Sequence, residues 1–183
     1  IRESRVRRVT VAEGFMYLYH PQFLRLKQAL SNGVLGHVHT VHCRFGIPPL
    51  DHPGFRTDPA LGGSAFLDVG SYTVSAVVSL LPEEDPEIVA AEIATGPGSA
   101  VDTAGSAVLR YSNDLSAVLD WRTGTAYRNA IDVWGTEGSL RSECVFSKPP
   151  DYVPSFCFLD RHGVERRETG VAANQFVAMF AAF

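Results

Sequence analysis

The chain has 183 residues, 45% of them hydrophobic and 20% charged, with a formal net charge of -4. Such a chain suits one globular domain that buries roughly two-thirds of its unfolded surface. Acidic and basic residues are mixed along it, which leaves no electrostatic footprint for nucleic acid or an anionic membrane. The one local cluster, Arg2, Arg5, Arg7 and Arg8, reads as the solvated face of a helix.

Three cysteines, Cys43, Cys144 and Cys157, are an odd number without C-x-x-C spacing. They argue against a disulfide framework and a structural zinc site, so reduced thiols in a cytoplasmic protein are expected. No apolar run approaches the roughly 20 residues of a membrane helix, and no charged-then-apolar leader opens the sequence. The first residue is Ile1 rather than Met, and the chain is expected to begin partway through a longer polypeptide.

In chain order, residues 9–13 are short and β-branched and follow basic residues, so they read as a strand entered from a partial helix. Pro21 then opens a helix in which Phe23, Leu24, Leu26, Lys27, Ala29 and Leu30 keep helical spacing until Asn32-Gly33 stops it. Residues 37–45 are strand-like, and 47–63 hold four prolines and three glycines, a long irregular loop of the kind that carries function. A second helix is expected over 65–81, with Ser64 as N-cap and Pro82 beyond its end. Strands follow over 88–95, 103–111, 115–122, 129–134, 139–146 and 156–159, with a tight hairpin at Asn113-Asp114 and a turn at His162-Gly163. Residues 174–183 read as a capped helix with Phe176, Met179, Phe180 and Phe183 on one side. The pattern predicts an α+β fold: a predominantly antiparallel open sheet, helices packed on one face, and the other face free for a partner subunit.

The helix from Ala65 carries the most informative pattern. Asp68, Tyr72, Ser75 and Ser79 recur at intervals of four, three and four, opposite an apolar face of Phe66, Val69, Thr73, Val77 and Leu80. An amphipathic surface helix would show the same stripe. The approach adds a functional reading: Arg56 and Asp58 lead to Gly62-Gly63-Ser64, where paired glycines would let a ligand reach the backbone N–H groups of the helix start. An Asp and a Tyr four residues apart can serve one substrate hydroxyl in acid-base work. A phenol needs a nearby cation to exchange a proton efficiently at neutral pH, and neither Lys27 nor Lys148 is tied to Tyr72.

Three stretches, Glu13-Gly-Phe-Met-Tyr-Leu-Tyr-His-Pro-Gln22, Phe55-Arg-Thr-Asp-Pro-Ala-Leu-Gly-Gly-Ser64 and Leu67-Asp-Val-Gly-Ser-Tyr72, together resemble the C-terminal domain of the Gfo/Idh/MocA oxidoreductases. The glucose-fructose oxidoreductase and dihydrodiol dehydrogenase branch is the nearer one. The likeness runs down to Trp134-Gly-Thr-Glu-Gly-Ser-Leu140. It implies a two-domain enzyme, with a Rossmann domain that binds NAD or NADP and an α+β domain that closes over the nicotinamide and a sugar or polyol. Residues 1–12 would then be the end of the Rossmann domain, and 13–183 a substrate-binding and dimerisation domain cut within its last helix. Tyr72 would be the acid-base residue and Asp68 its partner. Arg56, Trp121 and His20 would lie at the substrate, and Met16 and Tyr17 near the nicotinamide. A lysine in a Glu-Lys-Pro segment of the Rossmann domain would supply the cation. Leu18 stands where many relatives carry arginine, which removes one contact for an anionic ligand. The implied assembly is a homodimer or higher homo-oligomer through the open sheet face, and the isolated chain is expected to be inactive.

Other residues have plainer readings. His37 and His39 share one strand face while His42 points away, too few together for the three protein ligands of a catalytic zinc, so no metal is expected. His20 also suits a cap for the helix at Pro21. Tyr111, Trp134, Phe146 and Phe156 read as core or interface aromatics. A non-catalytic dimerisation or small-molecule binding module on the same fold is the competing function, and transient oxidation to permit elimination or glycoside cleavage is a third.

Overall fold

A computed structural model of the protein describes residues 2–82 and 85–183. The helices are α1 (Arg2–Arg7), α2 (Pro21–Ser31), α3 (Ser71–Leu80) and α4 (Gln175–Ala182). The strands are β1 (Val38–Ile47), β2 (Glu87–Ala94), β3 (Ala104–Arg110), β4 (Ser116–Thr123), β5 (Arg128–Gly135), β6 (Gly138–Glu143), β7 (Ser155–Asp160) and β8 (Glu165–Thr169). Short 3-10 turns occupy Met16–Tyr19, Gly54–Thr57 and Pro59–Leu61, and a π-helical turn, Phe66–Gly70, runs directly into α3.

Among the described residues the strands make one eight-stranded sheet in the order β2-β3-β4-β1-β5-β6-β7-β8. Neighbours pair antiparallel except β1 and β4, which run parallel. The sheet is therefore predominantly antiparallel, as expected, with one exception at its centre. Its cause is the connection: β1 is followed by a crossover through α3 before the β2–β4 hairpins, and a crossover of that length permits parallel pairing where a hairpin does not. The hairpin at Asn113-Asp114 forms with both residues left-handed, as a tight turn matched to strand twist requires.

Alternation along the strands separates two faces. Val41, Cys43 and Phe45 of β1, Leu119 and Trp121 of β4, Ile131 and Val133 of β5, and Phe156 and Phe158 of β7 are buried beneath the helices. Phe23, Leu26 and Ala29 of α2, with Ala76, Val77 and Leu80 of α3, close that core from above. The opposite face carries His42, Arg44, Asp120, Asp132 and Trp134, with ion pairs His42–Asp120 and Arg44–Asp132 across neighbouring strands. The helical stretch Pro59–Leu80 is long and apolar enough by composition to cross a membrane, contrary to the reading of the sequence. Here Val69, Thr73, Ala76, Val77 and Leu80 lie buried, the arrangement of a core-facing helix.

Two further expectations change, and one strand is added. Residues 9–13 form no strand: they have no neighbouring strand to pair with, and Val9 and Val11 stay exposed. The strand expected over 139–146 ends at Glu143 because Cys144 turns left-handed, with φ of 52°, and sends Phe146 into the core. β8 was not legible: Glu165-Arg-Arg-Glu-Thr169 is charged on both faces, as suits a sheet edge, and it is held by pairing with β7.

Candidate active site

The start of the helical stretch at Ser64 is closed by the chain itself. Ala65 N–H donates to the Asp102 carbonyl at 3.1 Å and Phe66 N–H to the Asp102 carboxylate at 2.7 Å. Leu67 N–H donates to Ser64 Oγ at 3.1 Å, the cap that the sequence predicts, and Asp68 N–H to the Ser64 carbonyl at 3.0 Å. All four donors are taken, so this terminus is not the open polar entrance that Gly62-Gly63 suggested. Those glycines serve the loop instead. Gly62 is left-handed, and a Cβ on Gly63 would stand 2.6 Å from the carbonyl oxygens of both Phe55 and Arg56.

That close approach pins the turn carrying Arg56 against the helix. Arg56 Nε donates to Asp68 Oδ2 at 2.7 Å, and its guanidinium lies 4.9 Å from the Phe55 ring centroid. A hollow of about 210 Å³ adjoins the pair, lined by Arg56, Asp68, Ser64 and Asp102 opposite Pro48 and Pro49. Tyr72 is not among its lining residues.

Tyr72 follows one turn later and is half-buried in a cage of rings. Phe15, Phe45 and Phe146 meet it edge-on at centroid distances of 5.1, 5.5 and 6.1 Å, and Tyr17 lies tilted at 5.7 Å. Among the described residues its hydroxyl donates only to Met16 Sδ, at 3.8 Å. A thioether is a weak acceptor, so the phenol keeps most of its hydrogen-bonding capacity for a group outside the chain. Burial raises the Tyr72 pKa, the charges of Asp68 and Glu13 raise it further, and Arg56 opposes them. In this chain alone the phenol is therefore a proton donor at neutral pH. Glu13 is a participant that the reading of single residues passed over, although it opens the first family-like stretch.

The remaining predicted residues divide. Met16 is at the phenol hydroxyl. Tyr17, placed near the nicotinamide by resemblance, is fully buried; its hydroxyl donates to Ser75 Oγ at 3.0 Å, so it is a core residue that no cofactor can reach directly. His20 is also fully buried: Nδ1 accepts from Gln22 N–H at 3.0 Å and Nε2 donates to the Ala173 carbonyl at 3.2 Å. With both nitrogens committed, it caps α2 and cannot bind substrate. Trp121 is buried under the helix start, its ring 5.3 Å from Phe66, and a Cβ on Gly70 would come within 2.9 Å of it. It supports the site from below, and also borders a hollow of about 270 Å³ on the open face. Lys148 donates to the Val145 carbonyl at 2.6 Å, and burial lowers its pKa to about 8. His37 and His39 touch through their rings, and His42 Nε2 lies 2.5 Å from Asp120. Among the described residues no three His, Cys, Asp or Glu side chains converge as metal ligands.

Comparison with known proteins identifies the family of the chain. The sequence model of the GFO/IDH/MocA C-terminal domain matches residues 23–141. A dTDP-3,4-didehydro-2,6-dideoxy-alpha-D-glucose 3-reductase from Actinomadura kijaniata is 30% identical over 180 residues, covering 98% of this chain and 54% of the relative. The trans-1,2-dihydrobenzene-1,2-diol dehydrogenase of Xenopus laevis is 31% identical over 144 residues, 77% of this chain and 42% of that protein. The crystal structure of a 3-ketoreductase from Actinomadura kijaniata in complex with NADP and TDP-benzene superimposes with a TM-score of 0.90 at 30% identity, over 98% of this chain and 55% of that one. This chain thus spans about half the length of the relatives it matches. By the extent of the domain match and the agreement in fold, the chain belongs to the Gfo/Idh/MocA family, whose C-terminal domain it carries.

Proposed function

We propose that the protein is an NAD(P)-dependent oxidoreductase acting on a carbonyl or hydroxyl of a sugar, polyol or related cyclic alcohol, and that this chain is its substrate-binding domain. One observation carries the reading: a half-buried phenol hydroxyl, held in an aromatic cage with only a thioether for partner among the described residues, within the electrostatic reach of a carboxylate that is itself held in place. A nicotinamide cofactor fits such a site, because half-buried Tyr72 leaves a hydroxyl whose one partner among the described residues is the thioether of buried Met16, a weak acceptor. When bound, NAD(P) supplies or takes up the hydride. Met16 would line its side of the pocket, and Tyr72 would give its proton to the substrate oxygen in reduction or take it in oxidation. Asp68 would orient the substrate hydroxyl. The raised pKa of Tyr72 suits the reductive direction, since a protonated phenol is the form that donates.

In the full-length protein, Tyr72→Phe is expected to lower kcat for keto-sugar reduction by roughly 100-fold or more, the usual weight of general acid-base catalysis. Unchanged turnover would remove Tyr72 from the mechanism. Homodimerisation through the open sheet face is part of the same proposal, supported by Trp134, which is 65% exposed there, and by rows of ion pairs beside it. A cytoplasmic location is proposed from the three free thiols.

A further inference from the structure

We propose that Arg56 is a positioning residue for proton transfer: the loop fixes its guanidinium so that it holds the Asp68 carboxylate in one orientation and balances its charge beside Tyr72. The inference rests on the functional reading above and replaces the direct substrate contact expected of Arg56.

The loop is built to place this one side chain. The Asp58 carbonyl accepts from Leu61 N–H and Gly63 N–H, and the Asp58 carboxylate accepts from Ala60 N–H at 2.9 Å. These bonds fold residues 58–63 back onto the Gly54–Thr57 turn, where Gly63 meets the Arg56 carbonyl closely enough to exclude any Cβ. Phe55 covers one face of the guanidinium. The contact to Asp68 is made by Nε, which only arginine has at that point of the side chain, so the approach is side-on and specific to arginine.

The consequence is electrostatic as well as geometric. Among the described residues the charged groups that act on Tyr72 are Asp68 from the π-helical turn, Glu13 from the segment before the Met16–Tyr19 turn, and Arg56 from the loop. Two of the three are negative and hinder ionisation of the phenol, and Arg56 is the one that favours it. Losing Arg56 would free the carboxylate to rotate and expose Tyr72 to its full charge.

The test uses the full-length protein and the variants Arg56→Gln, Arg56→Lys, Asp68→Asn and Arg56→Gln/Asp68→Asn, with kcat and KM followed against pH in keto-sugar reduction. Arg56→Gln should lower kcat by about 10-fold or more with little change in KM, and move the alkaline limb upward by about one pH unit, the lower end of the shift that a neighbouring opposite charge produces. Arg56→Lys keeps the charge and should restore the limb, but recover kcat only in part. In the Asp68→Asn background the Arg56 substitution should cost little further kcat, while the alkaline limb still moves upward because the guanidinium charge also acts directly on Tyr72. A rise in KM alone would make Arg56 a substrate ligand, and an equal loss in the Asp68→Asn background would break its link to Asp68; either result overturns the inference and leaves the oxidoreductase reading standing. A wild-type protein that reduces no keto-sugar with either nicotinamide cofactor would overturn both.

Discussion

His20 and Tyr17 illustrate what a single residue hides. Both lie in the stretch that resembles the family, both have polar atoms suited to a ligand, and both are buried with those atoms committed to the chain. Depth is a property of what packs above a residue, and for His20 that is Ala173, 153 positions away. The commitment has a measurable consequence. Burial, then the charge of Lys148, push the His20 pKa from its ordinary 6.5 down to about 4, against the opposing pull of the Ala173 bond. Between those values the unfolded chain takes up a proton that the folded chain refuses. Stability is thus full above about pH 6.5 and declines as pH falls toward 4, by roughly 3 kcal/mol at the limit. His20→Gln is expected to lose that slope, which urea midpoints at neutral and mildly acidic pH would reveal; equal slopes in both proteins would refute it.

Between elements, the seam joining the helices to the sheet depends on glycines. A Cβ on Gly70 would meet the Trp121 and Phe66 rings, whereas one on Gly105 would lie 2.3 Å from Trp121 Cζ2 and 2.6 Å from the Glu92 carbonyl of β2. A ring can shift, but a paired strand cannot. Gly105→Ala is therefore expected to cost about 1–3 kcal/mol of stability, as overpacking usually does, read from the urea midpoint. A neutral substitution would mean that β2 can move away from β3. The helix above this seam was legible in extent but not in form. The polar stripe assumes α-helical spacing throughout, whereas Phe66–Gly70 is a π turn with wider spacing, a form frequent at functional sites. Ser75, read as part of the outward stripe, instead takes the Tyr17 hydroxyl inside. Nor could spacing reveal Asp102, which caps Phe66 from 36 residues away.

At the scale of the molecule, no helix among the described residues covers the open face of the sheet. Its pattern of ion pairs around exposed Trp134 and Leu159 is that of a surface with both apolar contact area and charge registration. Trp134→Arg is expected to weaken self-association of the full-length protein, shifting it toward monomer in sedimentation experiments while the thermal transition stays close to that of the parent. An unchanged assembly would place the interface elsewhere. The sequence by itself determined the class of fold, the alternation that separates the two faces and α2 with its proline start, because each is written in local periodicity or in short stretches held in order. Tertiary structure alone decided that β1 runs parallel to β4, that Asp102 and Ser64 close the helix start, that Tyr17 and His20 are interior, and that Arg56 grips Asp68. Those outcomes depend on which distant segments come into contact, and a one-dimensional pattern records no such distances.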